Sequence, residues 1–271
     1  MAADRGLLPA DIQRALSTDS LGRRVYYLPE VDSTNRLAAA LAGCGEAEGT
    51  LVVTDFQSAG RGRGQNRWIS PRGRNLLFSV VLRPRLQTRE LLPVTLAFAV
   101  TVAEALSRFA GEGLQVKWPN DIVSSGGKIG GLLAESVSKS GRASYVVAGI
   151  GVNVNMRARE VPENPGQPVA SCHSLTGEEH DRIAVLASLL AALEPAYGRF
   201  VKDGFAPFVQ SYGERLALRG STVEMQDGGR GIRGRITGVR DDGGLALRTG
   251  DGRERVVYGG RIGGILGDGF R

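Results

Sequence analysis

Residues 57–68 read QSAGRGRGQNRW, and the segments on either side of them decide the fold. Thr50 to Phe56 is rich in β-branched and aromatic residues, and Leu76 to Leu82 is an almost unbroken apolar run. Each is predicted to be a core strand, with residues 59–74 as the loop between them. Three glycines, Gly60, Gly62 and Gly64, weaken a plain connector unless the backbone must approach something closely. Alternation with arginine lets N–H groups and guanidinium forks meet an anion together. Phosphate binding is one use of such a loop, and a solvated basic turn or a nucleic-acid patch is the other.

Working outward, Arg24 to Leu28 reads as a strand. Ser33 or Thr34 then stands as the N-cap of a helix through Leu37 to Leu41, closed at Gly43. Downstream, Leu91 to Phe109 has helical periodicity, and Gln115–Trp118, Lys128–Glu135 and Tyr145–Asn155 are extended. Gly126-Gly127 and Ser140-Gly141 supply turns, Pro162 to Pro168 a loop, and Asp181 to Phe200 a last long helix. Helices among strands joined partly by hairpins predict an α+β fold with a mixed sheet rather than a doubly wound one. From Arg219 onward the chain holds 16 of its 39 glycines. Turn signals at Asp227-Gly228, Asp242-Gly243 and Asp251-Gly252 there space short runs at Ile232–Val239, Leu245–Leu247 and Arg255–Tyr258, the pattern of a small β-barrel. The expected division is a short N-terminal segment, 1–20, a main domain, 21–218, and an SH3-like domain, 219–271.

Composition limits the function. At 271 residues, 42% hydrophobic and 23% charged, the chain has globular character. A net charge of +6 suits an anionic partner without choosing between a nucleotide and a nucleic acid. Cys44 and Cys172 form no C-x-x-C pair, so neither a zinc ribbon nor a disulfide framework is expected, and a reducing compartment fits. Asp4, Asp11 and Asp19 interrupt the first twenty residues, which points to a cytoplasmic protein without an export signal. One short helix, Pro9 to Leu16, is too little for a helix-turn-helix, so no DNA-reading module is expected at this end. The apolar runs Leu91–Leu106 and Ile183–Leu193 are shorter than a bilayer requires. With only His173 and His180, and neither G-x-S-x-G nor H-E-x-x-H, material for a catalytic triad or a zinc hydrolase is lacking.

Three further segments carry polar groups at sites of backbone irregularity. In Lys117-Trp118-Pro119-Asn120-Asp121-Ile122 the proline breaks a ladder beside Lys117, Asn120 and Asp121; a tight turn with Trp118 in the core is the plainer account. Residues 127–135, GKIGGLLAE, leave side-chain-free positions beside Lys128, as a flat ligand would require or as a bulged hairpin strand would show. Residues 147–155, VAGIGVNVN, read as a strand whose period of two puts Asn153 and Asn155 on one face, to read a base or hold a loop.

With Asp32-Ser33-Thr34-Asn35 upstream, these segments in this order resemble the biotin-protein ligases from about Arg24 to the C-terminus. The resemblance implies a mixed-sheet catalytic domain related to class II aminoacyl-tRNA synthetases, followed by an SH3-like domain. It also implies an enzyme that converts biotin and ATP to biotinyl-5'-AMP and transfers biotin to a lysine of a biotin carboxyl carrier protein. By position, Ser33, Thr34 and Gln57 would bond the ureido ring, with backbone near Gly60 and Arg61 completing the pocket and Asn35 and Gly131 also among the biotin-binding residues. Arg61, Gly62 and Arg63 would form a mobile loop over the adenylate, and Lys128 would meet the biotin carboxylate and the α-phosphate. Lys117 and Asp121 join Lys128, Arg61 and Arg63 as catalytic candidates, while Arg63, Trp68, Asn120, Lys128 and Asn153 are nucleotide candidates. ATP and biotin would be substrates with Mg2+, and no protein-held metal site is expected. DNA and membrane partners are not expected, and a homodimer is left open. Gln65-Asn66 departs from the second Gly-Arg pair common in the family. A lipoate ligase would share the fold but has no use for a ureido-binding slot. A nucleic-acid-binding protein would leave Lys117 and Lys128 unexplained. P-loop and dinucleotide folds are disfavoured because Ile129 follows Lys128 and no G-x-G-x-x-G opens a helix.

Overall fold

The computed structural model describes residues 6–84, 87, 90–139, 142–161, 167–227 and 230–266. The chain begins with α1 (Pro9–Ala15), β1 (Val25–Leu28), α2 (Thr34–Gly43), β2 (Leu51–Thr54) and β3 (Leu76–Leu82). It continues through α3 (Leu91–Ala110), β4 (Gln115–Lys117), β5 (Asp121–Ser124), β6 (Gly127–Lys139) and β7 (Arg142–Val152). Then come α4 (Cys172–Thr176), α5 (Arg182–Asp203) and α6 (Val209–Arg215). The seven strands form one sheet in the order β1-β2-β3-β7-β6-β5-β4. Only the β1–β2 pair is parallel, so the fold is α+β with a mixed sheet, as the sequence predicts.

Every residue of β3 is buried because both faces of the sheet are covered, which is what an unbroken apolar strand requires. On one face Ala38 and Ala42 of α2 pack on Val52, Val81 and Val147. On the other, β3 residues Phe78, Val80 and Leu82 share the main core with α3 and α5, where Phe98 meets Tyr197 edge to face at 6.4 Å. Helices α3 and α5 run to 20 and 22 residues. The expectation that these segments are too short for a bilayer is thereby corrected: length and composition alone would let either cross one. Their apolar residues are instead spent on the sheet, with Leu96, Leu106, Leu186 and Leu190 fully buried. The N-terminal segment joins this core through Leu7 and Ile12, and Glu194 of α5 accepts the backbone N–H groups of Asp19, Ser20 and Leu21.

The glycine-rich tail forms a second sheet, wholly antiparallel, of β8 (Thr222–Asp227), β9 (Arg230–Val239), β10 (Leu245–Arg248), β11 (Glu254–Val257) and β12 (Arg261–Leu266), in the order β11-β10-β9-β8-β12. That arrangement suits the SH3-like fold expected, with β8 and β12 added to the three runs read from the sequence. The Asp242-Gly243 turn forms with Gly243 at φ 84°, and Gly244 N–H donates to Asp242 Oδ1 at 3.0 Å. The turns expected at Asp227-Gly228 and Ser140-Gly141, and most of the Pro162–Pro168 loop, involve positions outside the described residues.

Candidate active site

The N-terminus of α2 and the strand end before the glycine–arginine loop make a polar slot. Ser33, 1% exposed, occupies the N-cap position, but its hydroxyl makes no capping bond. That corrects the simple capping role, since Gln57 takes over: its Oε1 accepts from Thr34 N at 2.8 Å and Thr34 Oγ1 at 3.1 Å. Ser79 of β3 places its hydroxyl 2.8 Å from Thr34 Oγ1 and 2.7 Å from Asn35 Oδ1. Asn35 Nδ2 donates to Leu133 O and to Glu135 Oε2, at 3.1 and 2.8 Å. The Asn35 amide is thus committed to protein partners and shapes the slot from behind. Ser79 and Glu135 escaped the sequence reading; a lone serine in an apolar strand was the available signal.

Strands β6 and β7 supply a floor without side chains. Gly131 and Gly151 are register partners, and the Trp68 ring lies over both: an added Cβ would come within 3.1 Å of it at Gly131 and 2.6 Å at Gly151. At Gly149 a Cβ would stand 1.9 Å from Asn35 Oδ1. These close approaches bear out the need for glycine inside the strands. Among the described residues the buried Trp68 Nε1–H has no hydrogen-bond partner.

The loop over this floor is a small hairpin. Arg61 bridges Arg67, Gly62 N donates to Asn66 O at 2.8 Å, and Trp68 N donates to Gly60 O at 3.0 Å. A Cβ on Gly60 would sit 2.3 Å from Trp68 O, so this glycine is needed for closure of the hairpin. Asn66, where the sequence departs from the family pattern, contributes its carbonyl to that closure. Arg63 points to the second sheet, donating to Gly260 O at 2.8 Å with its guanidinium 5.9 Å from the Trp118 ring centre. Burial lowers the Arg63 guanidinium below its ordinary value, against the opposing pull of Asp121. Arg61 turns the other way, to Glu135 Oε1 at 2.8 Å.

The β4–β5 hairpin brings in the remaining polar groups, with Lys117 and Asp121 as cross-strand partners. Lys128 Nζ meets Asp121 Oδ1 at 2.7 Å and stands 5.3 Å from the Trp68 ring centre. Asn120 Nδ2 donates to Leu132 O at 2.9 Å, fastening the turn to β6. Trp118 is 3% exposed and donates through Nε1 to Gly243 O at 3.0 Å, so its core role is real and joins the two sheets. Tyr212 of α6 lies fully buried behind, its phenol pushed well above the usual range by burial and by the Asp121 charge.

The expected strand through Asn155 ends at Val152, where the chain leaves the sheet. Asn153 Nδ2 donates to Lys128 O and Ala170 O, at 3.3 and 3.0 Å, and Asn155 exchanges bonds with the His180 backbone. The shared-face reading is therefore corrected: both amides hold loops, and of the pair only Asn153 borders the cavity.

That cavity, about 820 Å³, is lined by Ser33, Thr34, Asn35, Gln57, Arg61, Gly62, Arg63, Trp68, Lys117, Asn120, Asp121, Lys128, Gly131 and Asn153. Of the residues that the resemblance places at the site, Gly60 alone is not on its wall. Gly260, just before β12, and Ile262 within it also line it, a contribution no local sequence signal announces. Among the described residues no cluster of three or more His, Cys, Asp or Glu could hold a metal ion.

A fixed polar slot, a bare floor and a cationic rim in one cavity are the parts of a site that joins a small organic acid to a nucleotide. Residues 27–153 match the Biotin/lipoate A/B protein ligase family, and residues 220–262 match the Biotin protein ligase C terminal domain. The bifunctional ligase/repressor BirA of Bacillus spizizenii is 33% identical over 251 residues, covering 92% of this chain and 77% of that protein. The biotin--[acetyl-CoA-carboxylase] ligase of Paracoccus denitrificans is 32% identical over 236 residues, covering 84% and 96%. The biotin protein ligase of Aquifex aeolicus, solved in complex with biotin and ATP, superposes with a TM-score of 0.75 at 30% identity, over 88% of this chain and 97% of that one. The chain belongs to the biotin protein ligase family.

Proposed function

We propose that this protein activates biotin with ATP as biotinyl-5'-AMP and passes the biotinyl group to a lysine of a biotin carboxyl carrier domain, such as that of acetyl-CoA carboxylase. The observation that carries the reading is the adjacency of the Thr34–Gln57–Ser79 slot to Lys128 across the Gly131–Gly151 floor. A cyclic urea has donors and an acceptor that must all be matched once buried, at about 1 to 3 kcal/mol for each group left unpaired. Lipoate brings no such group.

In the first step a biotin carboxylate oxygen attacks the α-phosphorus and pyrophosphate leaves. Lys128, released from Asp121, neutralises the anions that this step brings together, with Arg63 closing from above. In the second step the carrier lysine attacks the acyl carbon and AMP leaves, so no enzyme nucleophile is needed. The Cys172 thiol, pushed to about 12 by burial, fits that absence. Mg2+ supplies charge neutralisation with the nucleotide; Asp121, the one carboxylate lining the cavity among the described residues, suits a phosphate-bound ion rather than a protein cage. The free thiols Cys44 and Cys172 suit the cytoplasm. The division at residue 219 is a boundary of folding units whose walls meet at one site. Neither DNA nor a second copy is needed for this chemistry.

Biotin-dependent exchange of labelled pyrophosphate into ATP tests the proposal. Exchange with biotin and none with lipoate is expected. Exchange with lipoate alone would move the assignment to that acid, and exchange with neither would remove the enzyme reading.

A further inference from the structure

We propose that Glu135 is a positioning residue for adenylate formation, acting through Arg61 to hold the root of the 61–67 hairpin against the polar slot; this rests on the function proposed above. The contacts form an unbroken series. Gln57 holds Thr34, Thr34 and Asn35 both meet the Ser79 hydroxyl, Asn35 donates to Glu135 Oε2, and Arg61 Nη1 lies 2.8 Å from Glu135 Oε1 and 3.1 Å from Oε2. Glu135 is outside the cavity wall, so its effect on a bound ligand must pass through these partners.

The Arg61 and Glu135 side chains are 45% and 32% exposed, and an ion pair that open contributes little when its members are free to wander. Glu135 is not free. Its second oxygen is held by Asn35, which is 5% exposed and fixed in turn by Ser79, by Leu133 O and by the missing side chain of Gly149. The carboxylate is therefore set in place before Arg61 arrives. Arg61 in turn begins the hairpin: its bridge to Arg67 and the Gly60–Trp68 bond carry its position to the ring that covers the glycine floor. Arg61 is held by Glu135 as Lys128 is held by Asp121 and Arg63 by Gly260 O, and what distinguishes Arg61 is its place at the root of the hairpin.

Glu135→Gln isolates the effect, since the amide oxygen can still accept from Asn35 while the charge that holds Arg61 is gone. In the ligand-free protein, amide hydrogen exchange of residues 60–68 is expected to quicken about three- to fivefold, the upper range for a semi-exposed pair. The biotin KM in pyrophosphate exchange is expected to rise by a similar factor, with kcat within about twofold of wild type. Arg61→Gln, at an exposed position, should quicken hydrogen exchange equally, and the double variant should be no worse than either single one. Unchanged exchange in Glu135→Gln, or additive effects in the double variant, would overturn the proposal. So would a fall in kcat at constant KM, which would make Glu135 a catalytic group instead. A wild-type protein without biotin-dependent activity would defeat the proposed function, while the hydrogen-exchange measurements would still decide whether Glu135 holds the hairpin.

Discussion

Lys128 Nζ is held between the Asp121 carboxylate at 2.7 Å and the Trp68 ring, whose centre is 5.3 Å away. The cation is kept at the cavity wall by a partner that an incoming phosphate can replace. Replacing Lys128 by alanine removes the nearest neutralising charge, and a loss of about 100- to 1,000-fold in the rate of adenylate formation is expected. Single-turnover formation of biotinyl-5'-AMP at saturating substrates measures it; a loss below about tenfold would take Lys128 out of the reacting centre.

Gly149→Ala would put a methyl group 1.9 Å from Asn35 Oδ1, and Asn35 is tied to Ser79, Leu133 and Glu135. Overpacking of this kind costs about 1 to 3 kcal/mol, and the displaced side chain would distort the slot. Urea denaturation should show the destabilisation, accompanied by a raised biotin KM. A variant with wild-type values for both would mean that the slot does not depend on Asn35.

Glu194 should make the fold sensitive to acid. Burial alone would raise its carboxyl, but N–H groups of Leu21, Asp19 and Ser20 and the Ser20 hydroxyl outweigh burial and hold it at about 2. A group lowered on folding contributes stability above its unfolded value, here 4.5, and loses that contribution as pH falls towards 2. Glu194→Ala is expected to cost about 1 to 3 kcal/mol near neutral pH by orphaning these donors. The gap from wild type, followed by urea melts, should stay constant down to about pH 5 and then narrow.

Arg63→Gly removes both the bond to Gly260 O and the cation–ring contact with Trp118. The hairpin then loses its tether to the second sheet, and activated biotin is expected to escape and label bystander lysines. Biotinylation of an unrelated protein in the same mixture reports this, and an unchanged rate of adenylate release would argue against a shielding role.

Much of this was legible because it is local. The run Leu76–Leu82 became a strand over those residues, and the glycine–arginine alternation of 57–68 became a hairpin bordering the cavity. The gap at Gly131 was legible as a gap, although nothing nearby in sequence says that Trp68 would cover it. The period of two that puts Asn153 and Asn155 on one face stops at Val152, where the chain turns away to meet Ala170 and His180. Glu135 and Gly260 carry no pattern of their own, and Ser79 shows only as a lone serine in an apolar strand. Their roles come from strand register and from contact between sheets, which join residues as far apart as Arg63 and Gly260.

The glycine floor at Gly131 and Gly151, with the Trp68 ring lying on it, also constrains how this site can change. Every replacement at either position adds volume, so mutation there can only make the space shallower; it has no route to a deeper one. A variant meant to accept a bulkier acid would have to be sought in the roof, by trimming Trp68 or lengthening the hairpin that carries it, while the sheet beneath stays as it is.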